Sequence, residues 1–143
     1  MMKNKISIAS VLLLTSWTFA SAQADDLTGA DALLCSTSWA TVCISDEVCE
    51  SGAPWAWNIP QFVEIDIKKK LLSTTEASGE NRSTPAEVLR QGDGRVLIQG
   101  EELGRAFSIF ITEKTGRLSS VIAAEDMTIS VFGACTPTVS GKS

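Results

Sequence analysis

Four cysteines, at positions 35, 43, 49 and 135, and the complete absence of histidine and tyrosine set the chemistry open to this chain. Without an imidazole there is no Ser-His-Asp or Cys-His nucleophile system and no His-ligated zinc. Carboxylate pairs, a Ser-Lys pair or a thiolate are what remain. No Cys-x-x-Cys occurs, so the spacing suits neither a thioredoxin-like redox pair nor a zinc ribbon. An even number of cysteines reads instead as two disulfides made in an oxidising compartment. Three pairings are open to four cysteines. The expected set is Cys43 with Cys49, stapling the loop Ile44-Ser45-Asp46-Glu47-Val48, and Cys35 with Cys135, tying the amino-terminal segment to the last strand. No cofactor or metal is expected.

Glu64 and Asp66 are the one carboxylate pair whose spacing suits catalysis. Two residues apart on a strand, they project from one face with carboxylates roughly 6–7 Å from each other, in the general range that glycosidases use. Alternating charge on the outer face of a half-exposed strand serves solubility equally well, and that plainer role is the expected one. Trp39, Trp55 and Trp57 offer flat rings with a polar edge, suited to sugars, peptides or apolar ligands, or to plugging the end of a small sheet. Arg105, after Gly104, and Gln99, before Gly100, place polar groups at one rim of the expected sheet.

The elements that position these residues follow an export signal. Lys3 and Lys5 precede an apolar run from Ile6 to Ala20, and Ala22-Gln23-Ala24 is a small-x-small cleavage site, with Ala20-Ser21-Ala22 as a second site. The run is shorter than the ~20 residues that cross a bilayer, and Leu33-Leu34 before Cys35 excludes a lipoprotein signal. Removing 24 of 143 residues leaves 119, one domain by length. Loss of Lys3 and Lys5 takes the basic residues from 12 to 10 against 17 acidic ones, a net charge of −7. That balance excludes a nucleic-acid partner, which needs clustered Lys and Arg. Lys68-Lys69-Lys70, the one basic run, reads as a solvated strand end.

Within the mature chain, Thr28 with Asp31 three residues on predicts a short helix from Asp26 to about Leu34. Cys35 to Pro60 shows no sustained period and reads as an irregular, disulfide-held cover. Together, residues 25–60 are expected to pack with 61–143 as a single domain. After Pro60 alternation begins: Val63, Ile65 and Ile67 share one face of a strand, Glu64, Asp66 and Lys68 the other. The polar stretch Ser73 to Pro85 reads as a mobile connection; its triplet Asn81-Arg82-Ser83 is discounted as a glycosylation signal. Asp93-Gly94 is a hairpin turn between Ala86–Arg90 and Val96–Gln99. Turns at Gly100–Gly104, Thr115-Gly116 and Glu125-Asp126 then separate Phe107–Ile111, Leu118–Ala124 and Met127–Val131. The expected fold is mainly β: six antiparallel strands in a meander, curled into a half-open barrel, with a small sandwich as the alternative.

Asp31-Ala32-Leu33-Leu34-Cys35, Cys43 and Cys49, Asn58-Ile59-Pro60-Gln61-Phe62, Ile98-Gln99-Gly100 with Gly104-Arg105-Ala106, and Phe132-Gly133-Ala134-Cys135-Thr136 resemble a group of small exported proteobacterial proteins of unassigned role. The resemblance spans nearly the whole mature chain. It implies a Gram-negative source and a periplasmic or secreted home, and brings no catalytic residue. Size, compartment and strand number are also similar to those of periplasmic lysozyme inhibitors, an analogy of fold alone. The expected function is a non-enzymatic binding module of the cell envelope, contacting an envelope protein, glycan or small ligand through Trp39, Trp55, Trp57 and Arg105. A small hydrolase built on Glu64 and Asp66 is the alternative from another class.

Overall fold

The computed structural model describes residues 25–79 and 81–138; the expected signal peptide at 1–24 lies outside them. The described chain forms one sheet of ten antiparallel strands: β1 (Ala32–Ile44), β2 (Glu50–Gly52), β3 (Phe62–Asp66), β4 (Leu71–Thr74), β5 (Ser83–Pro85), β6 (Val88–Gly92), β7 (Arg95–Glu102), β8 (Arg105–Thr112), β9 (Arg117–Ala124) and β10 (Met127–Pro137). Their order is β5-β4-β3-β1-β10-β9-β8-β7-β6, with β2 on the free edge of the second half of β1. Six of these, β3 and β6 to β10, are the strands expected from alternation; β6 to β10 pair as a meander, whereas β3, expected as its first strand, pairs with β1 and β4 instead. Asp93-Gly94 and Leu103-Gly104 turn between them with positive φ at both central residues, the geometry that matches the twist of paired strands.

The remaining strands correct the sequence-based expectation. No helix forms over Asp26–Leu34, and β1 begins at Ala32. Asp26 Oδ1 instead accepts a 3.0 Å hydrogen bond from the backbone N–H of Thr28 and one from its hydroxyl, and Gly29 turns the chain at φ 76°. The residues that read as a helix cap therefore make a side-chain-closed turn, a use of Asp and Thr that competes with helix. Cys35 to Pro60 is not an irregular cover either. Its first ten residues belong to β1, which lies between β3 and β10 in the middle of the sheet, and β2 and a tight helical turn at Pro54–Trp57 follow.

A bulge hid this strand from periodicity. The pairing of β1 with β10 slips between Thr37 and Trp39, so Leu33 and Cys35 face inward before it and Ala40 and Val42 after it. One extra residue reverses which positions point inward, and a two-residue period cannot survive it. Gly133 sits opposite Thr37, and a Cβ there would run into the carbonyl oxygen of Ser36. Ser73 to Pro85 is likewise more ordered than a mobile connection. It holds the end of β4, one tight helical turn at Glu76–Ser78 and β5, tied by Ser78 Oγ accepting from the Phe62 N–H at 2.9 Å and donating to the Phe62 carbonyl at 3.0 Å.

Curling brings the two ends of the sheet together. The chain from 83 to 92 pairs first with β4 and then with β7, passing from one edge to the other through Ala86 and Glu87, whose N–H groups donate to Lys70 and Gln99 carbonyls at 2.8 and 2.9 Å. One end of the resulting cup is closed by the amino-terminal segment. Leu27 is fully buried there, its N–H bonded to the Glu113 carbonyl at 2.8 Å, and burying that side chain contributes about 2 kcal/mol. Beside it the buried Glu113 carboxylate accepts 3.0 Å from Gln91 Nε2. Lys114 Nζ holds Asp26 at 2.9 Å on the outside.

Both expected disulfides are present. Cys35 and Cys135 face each other across β1 and β10, both buried; Cys43 and Cys49 close the local loop. A loop of 100 residues against one of 6 makes the first bridge worth roughly 4–5 kcal/mol through the unfolded chain and the second about 2 kcal/mol. Urea unfolding of Cys35→Ala/Cys135→Ala should therefore lose more than Cys43→Ala/Cys49→Ala; equal losses would contradict this ranking. The Thr28 hydroxyl, then Lys114, hold the Asp26 carboxyl well below its usual range. A carboxyl depressed in the folded state stabilises above its unfolded pKa of about 3.9 and loses that contribution as pH falls. Asp26→Asn should be slightly less stable than the parent at pH 6, with the difference shrinking steadily below pH ~4, measured by denaturant midpoints across pH.

Candidate functional site

Alternation along β7, β8, β9 and β10 directs one set of side chains into the cup, and part of that set stays uncovered. Val63 and Ile65 of β3, Leu72 of β4, Phe107 and Ile109 of β8, Leu118 and Ile122 of β9 and Val131 of β10 wall a cleft of about 130 Å³. Leu27 and its neighbours fill the floor below. At the mouth stand Asn58, Ile59 and Pro60 on one side and Arg82, Glu102, Leu103 and Arg105 on the other. The walls are mostly apolar, with Thr37, Ser73, Thr74, Thr84 and Ser120 adding hydroxyls from the strands, and charge appears only where the strands end.

Two of the mouth residues, Arg82 and Glu102, form one network with Thr84 of β5. Thr84 Oγ1 donates to Glu102 Oε1 at 2.8 Å, and Arg82 Nη1 lies 3.8 Å from Glu102 Oε2. These contacts tie β5 to β7 at the seam where the two sheet edges meet without a continuous ladder. Arg105 pairs with Glu102 in the β7–β8 register, yet its guanidinium makes no ion pair or side-chain hydrogen bond with a described residue. Between them Leu103 is 76% exposed at φ 53°. A leucine in the left-handed region is strained, where Asn or Gly would sit freely, and an exposed apolar side chain there covers no core.

Of the residues singled out in the sequence, Arg105 lines the cleft and the three tryptophans do not. Trp39 is 52% exposed on the convex face, opposite Phe132 of β10, which is 51% exposed; Trp55 is 58% exposed. Trp57 is half-buried against the second core cluster of Ala40, Val42, Ile59, Ile129 and Val131. Gln99 is exposed outside the cleft and serves the sheet through its backbone. Glu64 is exposed, and neither it nor Asp66 reaches the cleft. Asp66 accepts the Lys69 N–H at 2.8 Å, which with the Lys69 ammonium at 3.4 Å lowers its pKa. A general acid needs the opposite shift; this carboxylate closes the β3–β4 turn.

Sequence reasoning missed Arg82, Glu102 and Leu103. The available signal was Leu103-Gly104, a leucine where a two-residue turn asks for Asn or Asp. Among the described residues no cluster of three or more His, Cys, Asp or Glu is placed to hold a metal ion, and no helix is long and apolar enough to cross a membrane. In comparisons with protein families, curated proteins and solved structures, nothing matches the chain.

Because Leu103 is strained and exposed, Leu103→Asn should raise stability by about 0.5–1 kcal/mol. A shift of the urea midpoint upward with unchanged slope would show it; a loss of stability would mean that Leu103 makes contacts the fold requires.

Proposed function

We propose that this protein is a non-enzymatic binding module of the cell envelope that holds a small ligand in the concave cleft of its curled sheet. The observation that carries this reading is the cleft itself: apolar walls left uncovered between a plugged floor and a mouth bearing Arg105 and the strained, exposed Leu103. Concave apolar sites with a few polar groups at one end are the usual form of small-molecule sites, including the mouths of β-barrels. Two disulfides suit an exported protein, in keeping with the export signal read from residues 1–24. The alternative hydrolase finds less support, because Glu64 and Asp66 lie outside the cleft and Asp66 is tied into the β3–β4 turn.

This reading moves the expected contact region from the tryptophan segment to the cleft, keeping Arg105. A thermal-shift screen of the oxidised mature protein against envelope glycans, lipids, small aromatic and aliphatic compounds and muramidases tests it. Ser120 points into the cleft from β9, and Ser120→Phe should fill the space and abolish stabilisation by a hit, while Trp55→Ala and Trp39→Ala leave it intact. Hits that survive Ser120→Phe and disappear with the tryptophan substitutions would place the contact on the convex surface instead.

A further inference from the structure

We infer that the cleft, taken as the binding site proposed above, accepts one apolar group of about benzene size bearing a carboxylate, with the carboxylate held by Arg105. Size limits the tail. An internal space of about 130 Å³ compares with an engineered, Leu/Ile/Phe-lined cavity of about 150 Å³ that takes benzene and stays dry without it. A long acyl chain could place only its end inside. The walls select for an apolar body, since Val63, Ile65, Phe107, Ile109 and Ile122 present no hydrogen-bonding side chain to a ligand.

Charge at the mouth selects the head group. Three charged residues reach the cleft: Arg82, Glu102 and Arg105. Glu102 is engaged by the Thr84 hydroxyl and Arg82 at the seam, which leaves one positive charge in excess among the described residues that line the cleft. Arg105 supplies it, half-buried and without an acidic partner among the described residues. A guanidinium at the edge of an apolar cleft is suited to paired hydrogen bonds with a carboxylate. Leu103, next to it on the lip, gives the ligand an apolar contact as it leaves the cleft, which accounts for an exposed leucine at a strained turn.

Three probes that share a phenyl-ethyl skeleton and differ in the head group test this: phenylacetate, 2-phenylethanol and 2-phenylethylamine. Each is titrated into the oxidised, isotope-labelled mature protein with amide shifts as the readout. Phenylacetate should move the amides of Leu103 to Ile109 and of Ser120 to Ile122, and bind roughly tenfold more tightly than the alcohol, with the amine weakest. Arg105→Gln should remove that preference by weakening phenylacetate far more than the alcohol; Arg105→Lys should retain part of it, and an unchanged spectrum elsewhere shows that both variants fold. If alcohol and amine bind as well as phenylacetate, or Arg105→Gln keeps the preference, the carboxylate assignment is overturned while the cleft stands as the binding site. If none of the three perturbs the cleft amides, the inference fails, and the screen with Ser120→Phe decides separately whether the cleft binds anything else.

Discussion

The structure depends on the seating of β1 between β3 and β10. This strand joins the amino-terminal β3–β5 unit to the β6–β10 meander; without it each part would expose a strand edge, a condition that invites aggregation. Cys35 and Cys135 lock the seat from inside the core, where both are buried. The bond joins residues 100 apart in sequence, so it constrains the unfolded chain strongly while holding the strand pair on which the curl is built.

The bulge in β1 divides the interior into two clusters. Leu33 and Cys35 belong to the cluster around Leu27, whereas Ala40 and Val42 belong to the one around Ile129 and Val131. A regular strand of this length would turn one of these sets outward. The local bend and added twist at a bulge also favour a curled over a flat sheet. Gly133 lets the strands approach there, since any side chain would collide with the backbone of β1.

Closing such a sheet with short connections leaves unequal ends. The segment with Leu27 covers the floor through backbone bonds to Glu113 and Ala30. At the mouth, β5 and β7 are joined through the side chains of Thr84, Arg82 and Glu102. A seam made of side chains rather than a ladder leaves room between β5 and β7, and that room is the upper part of the cleft. The strained Leu103 and the uncommitted Arg105 lie at this weaker end, where local rules are broken without a gain to the core.

Residue types and short-range spacing decided the meander, the hairpin at Asp93-Gly94, the disulfide chemistry and the exclusion of imidazole catalysis, because each rests on contacts between neighbours or on composition. Alternation in Phe62–Asp66 and Arg105–Thr112 showed that Val63, Ile65, Phe107 and Ile109 share faces. It did not show that those faces enclose one cleft. Only the tertiary structure could place β1 in the sheet, because its bulge erases the period, and only closure could turn Asp26 and Thr28 into the anchor of a floor plug. The tryptophans drew attention by type, yet Trp39 and Trp55 fall on outer surfaces while Arg105 falls at the cleft. Which aromatic ends inside is set by register across strands far apart in sequence, a property no local window contains.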